Sequence, residues 1–206
     1  MTDSDDPTSA AFVPEASVVA RPGLAATPSA EAKLFTELLD SSVVELMTAY
    51  GFDAVVADYQ PERPGNTTCL AAFIGFGGQA VKGALTAVVP RALLEDTHPM
   101  KTPAEALTDS DAGDWCCEFV NQLLGRMKNK ALRRRLTFQA SAPQSILSDR
   151  LRIVQPARGG LVVRNYQMKK FELLVCLDVT ADPALWPLES SAPPAEVAAE
   201  GDLVLF

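Results

Sequence analysis

One stretch of the sequence, DWCCEFVNQLLGRMKNKALRRR at residues 114–135, places a carboxylate and a carboxamide at helical spacing. Glu118 and Asn121 are three residues apart, so on an α-helix their side chains emerge side by side. Asp114 and Gly125 extend the same line over about three turns. The pair combines a charged hydrogen-bond acceptor with a neutral group that both accepts and donates. A rigid helix would present the two groups together.

The opposite side of this predicted helix is apolar. A stripe at about 100° per residue should face the core; it consists of Cys116, Val120, Leu123, Met127 and Ala131. A line of polar residues on the outside of such a helix is often only a solvated face. Two details favour a functional surface instead. Asparagine is a poor helix former, and glycine in a helix interior costs about 0.5–1 kcal/mol relative to alanine, a cost that close approach of another chain at Gly125 would explain.

A cluster of cations ends the same segment, within a chain whose formal net charge is −8. It consists of Arg126, Lys128, Lys130, Arg133, Arg134 and Arg135. Cations near a helix C-terminus are favourable in themselves, by a few tenths of a kcal/mol each. They could equally steer an acidic partner surface towards the helix. The two interpretations are compatible.

Composition limits the classes of function. The chain has 206 residues, of which 48% are hydrophobic, enough for one sizeable core. Its acidic balance argues against a nucleic-acid binder, and no segment approaches the roughly 20 apolar residues of a membrane span. The cysteines at 69, 116, 117 and 176 lack metal-site spacing and are expected to be reduced, and His98 lies in a predicted surface loop. We therefore expect a cytoplasmic protein with protein or small-molecule partners.

The surrounding elements predict one α+β domain in which two long helices cover an antiparallel sheet. A first helix begins near residue 31 and stops at Gly51, and two apolar runs around the glycines at 75, 77 and 78 predict a β-hairpin with those glycines as turn formers. The glycine spacing fails both dinucleotide and phosphate-loop patterns. Strand-length segments follow the second helix. Residues 1–30 and 183–206 are predicted tails, and residues 31–182 form the domain.

These motifs resemble the CheC/CheX/FliY family of chemotaxis phosphatases. The similar features are Asp114-x-x-x-Glu118-x-x-Asn121 followed by Gly125, Pro143 in SAPQSI, the first helix LFTELLDSSVVELMTAYGF, and the segment FIGFGGQAVKGALTAVVP. The resemblance covers roughly residues 33–180. The CheC type carries two ExxN helices and the CheX type carries one. The first helix here has no ExxN, so the single-site CheX type fits best.

The resemblance implies hydrolysis of the aspartyl phosphate on a CheY-type receiver domain. It implies that Asn121 orients the attacking water and that Glu118 anchors the lysine of the receiver's active site. Asp114 either supports this assembly or is a first-turn acid favoured by the helix dipole, and Pro143 shapes a strand end. The protein would have no cofactor of its own, because the Mg²⁺ belongs to the receiver. The resemblance also implies a homodimer. A non-catalytic receiver-docking adaptor or flagellar-switch-like scaffold is the alternative.

Overall fold

The computed structural model describes residues 30–57, 68–99, 107–148 and 161–182. The helices are α1 (Ala30–Ala49), α2 (Arg91–Thr97) and α3 (Asp109–Leu132). The strands are β1 (Val55–Ala57), β2 (Cys69–Gly77), β3 (Val81–Pro90), β4 (Gln139–Ala140), β5 (Gln144–Ser148), β6 (Leu161–Met168) and β7 (Phe171–Ala181). The predicted tails lie outside the described residues, except that α1 begins at Ala30, the last residue assigned to the first tail.

The strands within the described ranges form one antiparallel sheet of seven strands. Its order is β1, β6, β7, β3, β2 and β4. Strand β5 also pairs with β2, along the first half of that strand, whereas β4 pairs with its end. The predicted hairpin is part of this sheet, with β2 and β3 paired from Cys69 opposite Pro90 to Gly77 opposite Lys82. The predicted α+β class is confirmed, with the short α2 as a third helix.

The two long helices pack against each other and against the sheet, α1 at β6 and β7 and α3 at β2, β3 and β5. Their apolar sides and the inward residues of the strands form one hydrophobic core. Phe35, Leu39 and Leu46 of α1 are fully buried there beside Leu123 and Met127 of α3. Burying each such side chain contributes roughly 1.5–3 kcal/mol. The core therefore fixes the rotation of both helices about their axes.

The end of α1 confirms the predicted stop at Gly51, whose φ is 81°. The Phe52 amide donates to the Met47 carbonyl at 2.9 Å, and the Gly51 amide donates to the Thr48 carbonyl at 2.9 Å. This pair of bonds closes a helix end on a left-handed residue, a conformation that glycine adopts without steric cost. The tight stop leaves Tyr50 directly beside α3.

The hairpin glycines do not all act as predicted. Gly78 lies in the turn, but Gly75 and Gly77 are strand residues in β2, so the prediction of three turn formers is wrong for those two. Gly78 has no positive φ. A Cβ built on it would lie 2.1 Å from the carbonyl oxygen of Thr137, so the residue must be small because another backbone segment passes against it.

Candidate functional site

Helix α3 carries the candidate site and is fixed firmly at its start. The hydroxyl of Thr108 accepts a hydrogen bond from the Asp111 amide at 3.1 Å, which satisfies one of the free amides at the helix N-terminus. Asp109 pairs with Arg91 of α2. The predicted apolar stripe is buried, because Cys116, Val120, Leu123, Met127 and Ala131 are all in the core. The opposite side must therefore face outward.

The outward side holds the predicted residues in the predicted line. Asp114, Glu118 and Asn121 are exposed, and Gly125 is partly exposed. The Asn121 amide nitrogen lies 3.5 Å from one oxygen of Glu118 and donates to it. This contact leaves the carbonyl oxygen of Asn121 as its hydrogen-bond acceptor towards solvent. A charged acceptor and a neutral acceptor thus stand next to each other on a rigid ridge.

A residue that the sequence analysis missed also contacts Glu118. The Gln122 amide nitrogen donates to the second oxygen of Glu118 at 3.0 Å, and its own oxygen accepts from the Tyr50 hydroxyl at 2.8 Å. The contact of Gln122 with Glu118 could have been predicted from their spacing of four residues, since i,i+4 side chains meet on a helix. Tyr50 is 72 residues from Gln122, and nothing local in the sequence joins the two.

Tyr50 is held against α3 by aromatic contacts. Its ring stacks on Phe119 with centroids 6.4 Å apart and meets the edge of Trp115 at 6.1 Å. Burial is the main reason that the pKa of Tyr50 is raised, the nearby charge of Glu118 raises it further, and Arg126 opposes both. The phenol therefore keeps its proton at neutral pH and remains a hydrogen-bond donor.

The predicted cluster of six cations is divided in two by the structure. Arg126 and Lys130 turn towards α1 and pair with Glu45, and only 14% of the Arg126 side chain is exposed. The steering role predicted for these two residues stays a prediction, and in the free protein both face Glu45 of α1. Their ion pairs with Glu45 join α3 to α1. The exposed cations of the predicted set are Lys128, Arg133, Arg134 and Arg135.

Gly125 lies on the open side of α3. A Cβ built on it would meet no atom within 4 Å, so internal packing does not require a glycine there. Beside it runs a shallow groove of about 320 Å³, whose lining includes Glu118 and Gln122. All of the residues that line the groove belong to α3.

Pro143 lies in the connection between β4 and β5 and is partly buried. This connection is held to β2 by the backbone amide of Ser141, which donates to the Gly75 carbonyl at 2.8 Å, and by the Ser141 hydroxyl, which accepts from the Gly75 amide at 3.0 Å. The following strand lies against α3, where a Cβ on Gly113 would be 3.1 Å from the Ser145 hydroxyl. The predicted supporting role of Pro143 remains a prediction about the strand end.

The described residues include no group of three or more histidine, cysteine, aspartate or glutamate side chains placed to hold a metal ion. No helix in the described ranges has the length and apolarity needed to cross a membrane.

Comparison with known proteins fits this arrangement. The model of the family described as "Chemotaxis phosphatase CheX" matches residues 70–165, which include Glu118 and Asn121. Similar solved structures include the chemotaxis protein CheX of Vibrio vulnificus, with TM-score 0.59 and 12% identity, covering 71% of this chain and 99% of that one. The chain has the CheX fold. No curated protein matches it in sequence.

Two further structures have the same CheX fold. CheX of Desulfovibrio desulfuricans matches with TM-score 0.57 and 14% identity, over 71% of this chain and 99% of that one. The CheX–CheY–BeF3–Mg²⁺ complex of Borrelia burgdorferi matches with TM-score 0.50 and 11% identity, over 71% and 96% respectively. The family resemblance found in the sequence is thereby confirmed.

Two carboxylates of helix α1 are engaged by neighbouring elements. Asp40 accepts from the hydroxyl of buried Tyr166 at 2.8 Å and pairs with Arg164 at 3.3 Å, while Glu45 pairs with α3. Glu37 lies three residues before Asp40, and of these two residues only Glu37 is exposed. Helix α1 therefore offers no exposed carboxylate–carboxamide pair, in agreement with a single-site domain.

Proposed function

We propose that this protein removes the phosphoryl group from the phosphorylated aspartate of a CheY-type receiver domain. The observation that carries the proposal is the exposed pair of Glu118 and Asn121 on α3, within the segment that matches the chemotaxis phosphatase family. The solved complex of a CheX with CheY, on a similar fold, supports the choice of partner.

The reaction needs little covalent help from the protein. Water attacks the phosphorus, the bond from phosphorus to the aspartyl oxygen breaks, and the products are the free carboxylate and inorganic phosphate, which takes both protons of the water. Because the acyl phosphate already has a good leaving group, catalysis consists of positioning water in line and holding charges. The Mg²⁺ that supports this step belongs to the receiver and would neutralise charge on the phosphoryl oxygens.

Asn121 is suited to position the water. Its amide nitrogen donates to Glu118, so its carbonyl oxygen is available to accept a hydrogen bond from the attacking water. A carboxamide is neutral and does not repel the phosphoryl oxygens. Glutamine plays the comparable part in GTPases, where it orients the attacking water. This role concerns the transition state more than the docked complex.

Glu118 is suited to anchor the receiver. An exposed carboxylate at the centre of the ridge can pair with the lysine of the receiver's active site, and a charge-assisted contact of this kind fixes both distance and orientation. The contact would bring Asn121 to the phosphoryl group. Glu118 contributes to the ground-state complex as well as to the transition state.

The different roles are tested with single variants. Asn121→Ala should lower turnover of a phosphorylated receiver about 100-fold, the size expected when one preorganised polar group is lost, while binding of a beryllofluoride-loaded receiver stays nearly unchanged. Glu118→Ala should weaken that binding about tenfold or more as well as lowering turnover. Stopped-flow dephosphorylation and separate titrations measure the two quantities. Glu37→Ala, which removes an exposed carboxylate from α1, is the control and should behave as wild type.

The alternative is a receiver-docking adaptor without catalysis, or a scaffold like those of the flagellar switch. It predicts that wild-type protein binds the loaded receiver and leaves the dephosphorylation rate unchanged. An adaptor would have no need of Asn121 beside Glu118, and the presence of both favours the phosphatase. Normal turnover by Asn121→Ala on a receiver that the wild type dephosphorylates would exclude the water-positioning role.

A further inference from the structure

A chain of two hydrogen bonds joins the end of α1 to the candidate site. The Tyr50 hydroxyl donates to Gln122, and Gln122 donates to Glu118. We infer that Gln122 is a positioning residue that, held by Tyr50, fixes the orientation of the Glu118 carboxylate for the partner's cation. The inference rests on the anchoring role proposed for Glu118 and adds two residues that act through it.

The chemistry of the middle residue is specific. Gln122 must accept from a phenol and donate to a carboxylate at the same time, and a neutral carboxamide does both. A glutamate at this position would accept from Tyr50 but repel Glu118, and an apolar residue would do neither. The bond from Tyr50 also selects one of the two orientations of the amide, because it occupies the oxygen and directs the nitrogen to Glu118.

Tyr50 can serve as the fixed end because its own position is determined on several sides. It follows the last residue of α1, and its amide donates to the Met47 carbonyl at 3.1 Å. Its ring lies against Phe119 and Trp115. The Trp115 indole in turn donates to the Thr97 hydroxyl of α2 at 3.0 Å. The hydroxyl of Tyr50 is thus fixed relative to α3 before any partner arrives.

The two oxygens of Glu118 receive different neighbours. One accepts from Gln122 at 3.0 Å, and the other is 3.5 Å from the Asn121 amide nitrogen. The stronger contact comes from Gln122, because donor–acceptor distances near 3.0 Å are optimal and 3.5 Å is at the limit. An exposed glutamate normally loses rotamer freedom when it forms an ion pair, and a carboxylate that is already oriented loses less on binding. Gln122 therefore acts on receiver affinity.

The inference is tested by binding of a beryllofluoride-loaded receiver to Gln122→Met, Tyr50→Phe and the double variant. Gln122→Met keeps the length of the side chain and removes both bonds, and it should weaken binding about tenfold. Tyr50→Phe should weaken it about threefold, since the amide loses its fixed orientation but can still reach Glu118. The double variant should match Gln122→Met alone, and turnover at saturating receiver should change little in all three. Gln79→Met, the same change at an exposed glutamine between β2 and β3, is the control and should bind as wild type.

A second comparison separates positioning from direct contact. In a Glu118→Ala background, Gln122→Met should have no further effect, because the residue through which it acts is gone. A full tenfold loss in that background, or additive effects of the Tyr50 and Gln122 variants, would overturn the inference and make Gln122 a direct receiver contact.

A third measurement does not depend on any receiver. The side-chain amide resonances of Gln122 in the free protein should shift in both Tyr50→Phe and Glu118→Ala. If these resonances stay unmoved, the chain of hydrogen bonds is absent in solution and the inference fails. If they move while Glu118→Ala binds the receiver normally, the anchoring role in the proposed function is wrong, and the positioning of Gln122 for receiver binding is overturned with it.

Discussion

At the scale of single residues, charge separates the roles proposed for Glu118 and Asn121. Both are exposed on α3 and contact each other, and both side chains end in a planar group with a hydrogen-bond acceptor. A negative charge attracts the receiver's lysine but repels the oxygens of the phosphoryl group. A neutral amide can approach those oxygens without that cost. The proposed mechanism therefore requires the charged residue at position 118 and the neutral residue at position 121.

The substitution Asn121→Asp tests this argument with no change in side-chain size. The new carboxylate should lower turnover at least as much as Asn121→Ala, and it should also weaken binding of the beryllofluoride-loaded receiver, because it adds a charge beside both Glu118 and the phosphoryl oxygens. Asn129→Asp adds the same charge to α3 about 12 Å further along the helix, where its effect should be clearly smaller. Equal losses in the two variants would show that net charge, and not position, decides the outcome.

The line of Asp114, Glu118, Asn121 and Gly125 could be predicted because one helical period fixes which side is buried. The fully buried Val120 and Leu123 leave no other rotation for the helix. Tyr50 and the partner of Arg126 could not be predicted, since both depend on how α1 lies against α3. That packing is a property of the core as a whole, and no local pattern in the sequence records it.

At the scale of elements, α3 is a helix with one weak point on its outer side. Gly125 has open space where a Cβ would lie, so Gly125→Ala should raise the free energy of unfolding by about 0.5–1 kcal/mol. If a receiver packs closely at this point, the added methyl group should weaken its binding. Thermal or denaturant unfolding and receiver titration check the two effects. A variant that is more stable and also binds normally would remove the reason for proposing close approach at Gly125.

The turn that follows α3 carries a second unusual residue. The Leu136 amide donates to the Ala131 carbonyl at 3.1 Å, the bond pattern that also closes α1, but the left-handed residue here is Arg135, with φ 60°. A side chain in this conformation costs about 1 kcal/mol that glycine avoids. The exposed charge of Arg135 offers a functional reason for accepting the cost.

The substitution Arg135→Gly should separate the two effects. It should raise the free energy of unfolding by about 1 kcal/mol while slowing association with the receiver, and the slowing should be larger at low salt. Arg134→Gly removes an equal charge from a residue without positive φ, so it should slow association and lower stability instead. Association rates measured by stopped flow at two salt concentrations decide whether these arginines steer a partner.

The hairpin shows a limit of sequence patterns at this scale. Its strands could be predicted from their apolar runs, but the predicted role of the glycines was wrong at Gly75 and Gly77. The turn needs no positive φ at Gly78, and the reason for its small size is the backbone at Thr137, far away in sequence. A glycine required by a close neighbour looks the same in sequence as one required by a turn.

At the scale of the whole molecule, the described sheet has an exposed strand on each side. β5 pairs with β2 and exposes Ile146 (51%) and Leu147 (40%), and β1 at the other side exposes Val55 (64%). Edge strands with exposed aliphatic side chains tend to pair with another chain. We propose that two copies associate through β5, the longer of the two, and predict a dimer at tens of micromolar by light scattering. Ile146→Lys should make it monomeric, and Val55→Lys should not.

A wild-type monomer at these concentrations would contradict the dimer. Loss of the dimer in Val55→Lys alone would assign the contact to β1 instead. Both variants place a lysine on an already exposed position, so neither should disturb the core. Receiver turnover per chain should stay the same in the monomeric variant, because Glu118 and Asn121 belong to a single α3.

Two buried thiols contribute to the pH dependence of stability in the alkaline range. Burial raises the pKa of Cys116 to about 12 and that of Cys176 to about 11, from an ordinary value of 9.0. The unfolded chain therefore loses these protons at a lower pH than the folded protein, so the stabilisation is complete below pH 9 and is lost as pH rises towards 11 and 12.

Each of the two thiols should lower the free energy of unfolding by roughly 1.3 kcal/mol between pH 8 and pH 10. In Cys176→Ala the fall over this interval should be smaller than in wild type by that amount, although the variant is less stable at both values because atoms are removed from the core. Val179→Ala removes buried atoms from the same strand without removing a titrating group, so it should lose stability in parallel with wild type. Urea unfolding under reducing conditions at the two pH values measures all three slopes. Parallel behaviour of Cys176→Ala and wild type would mean that Cys176 titrates in the folded protein much as it does in the unfolded chain, and that water reaches the sheet face on which it lies.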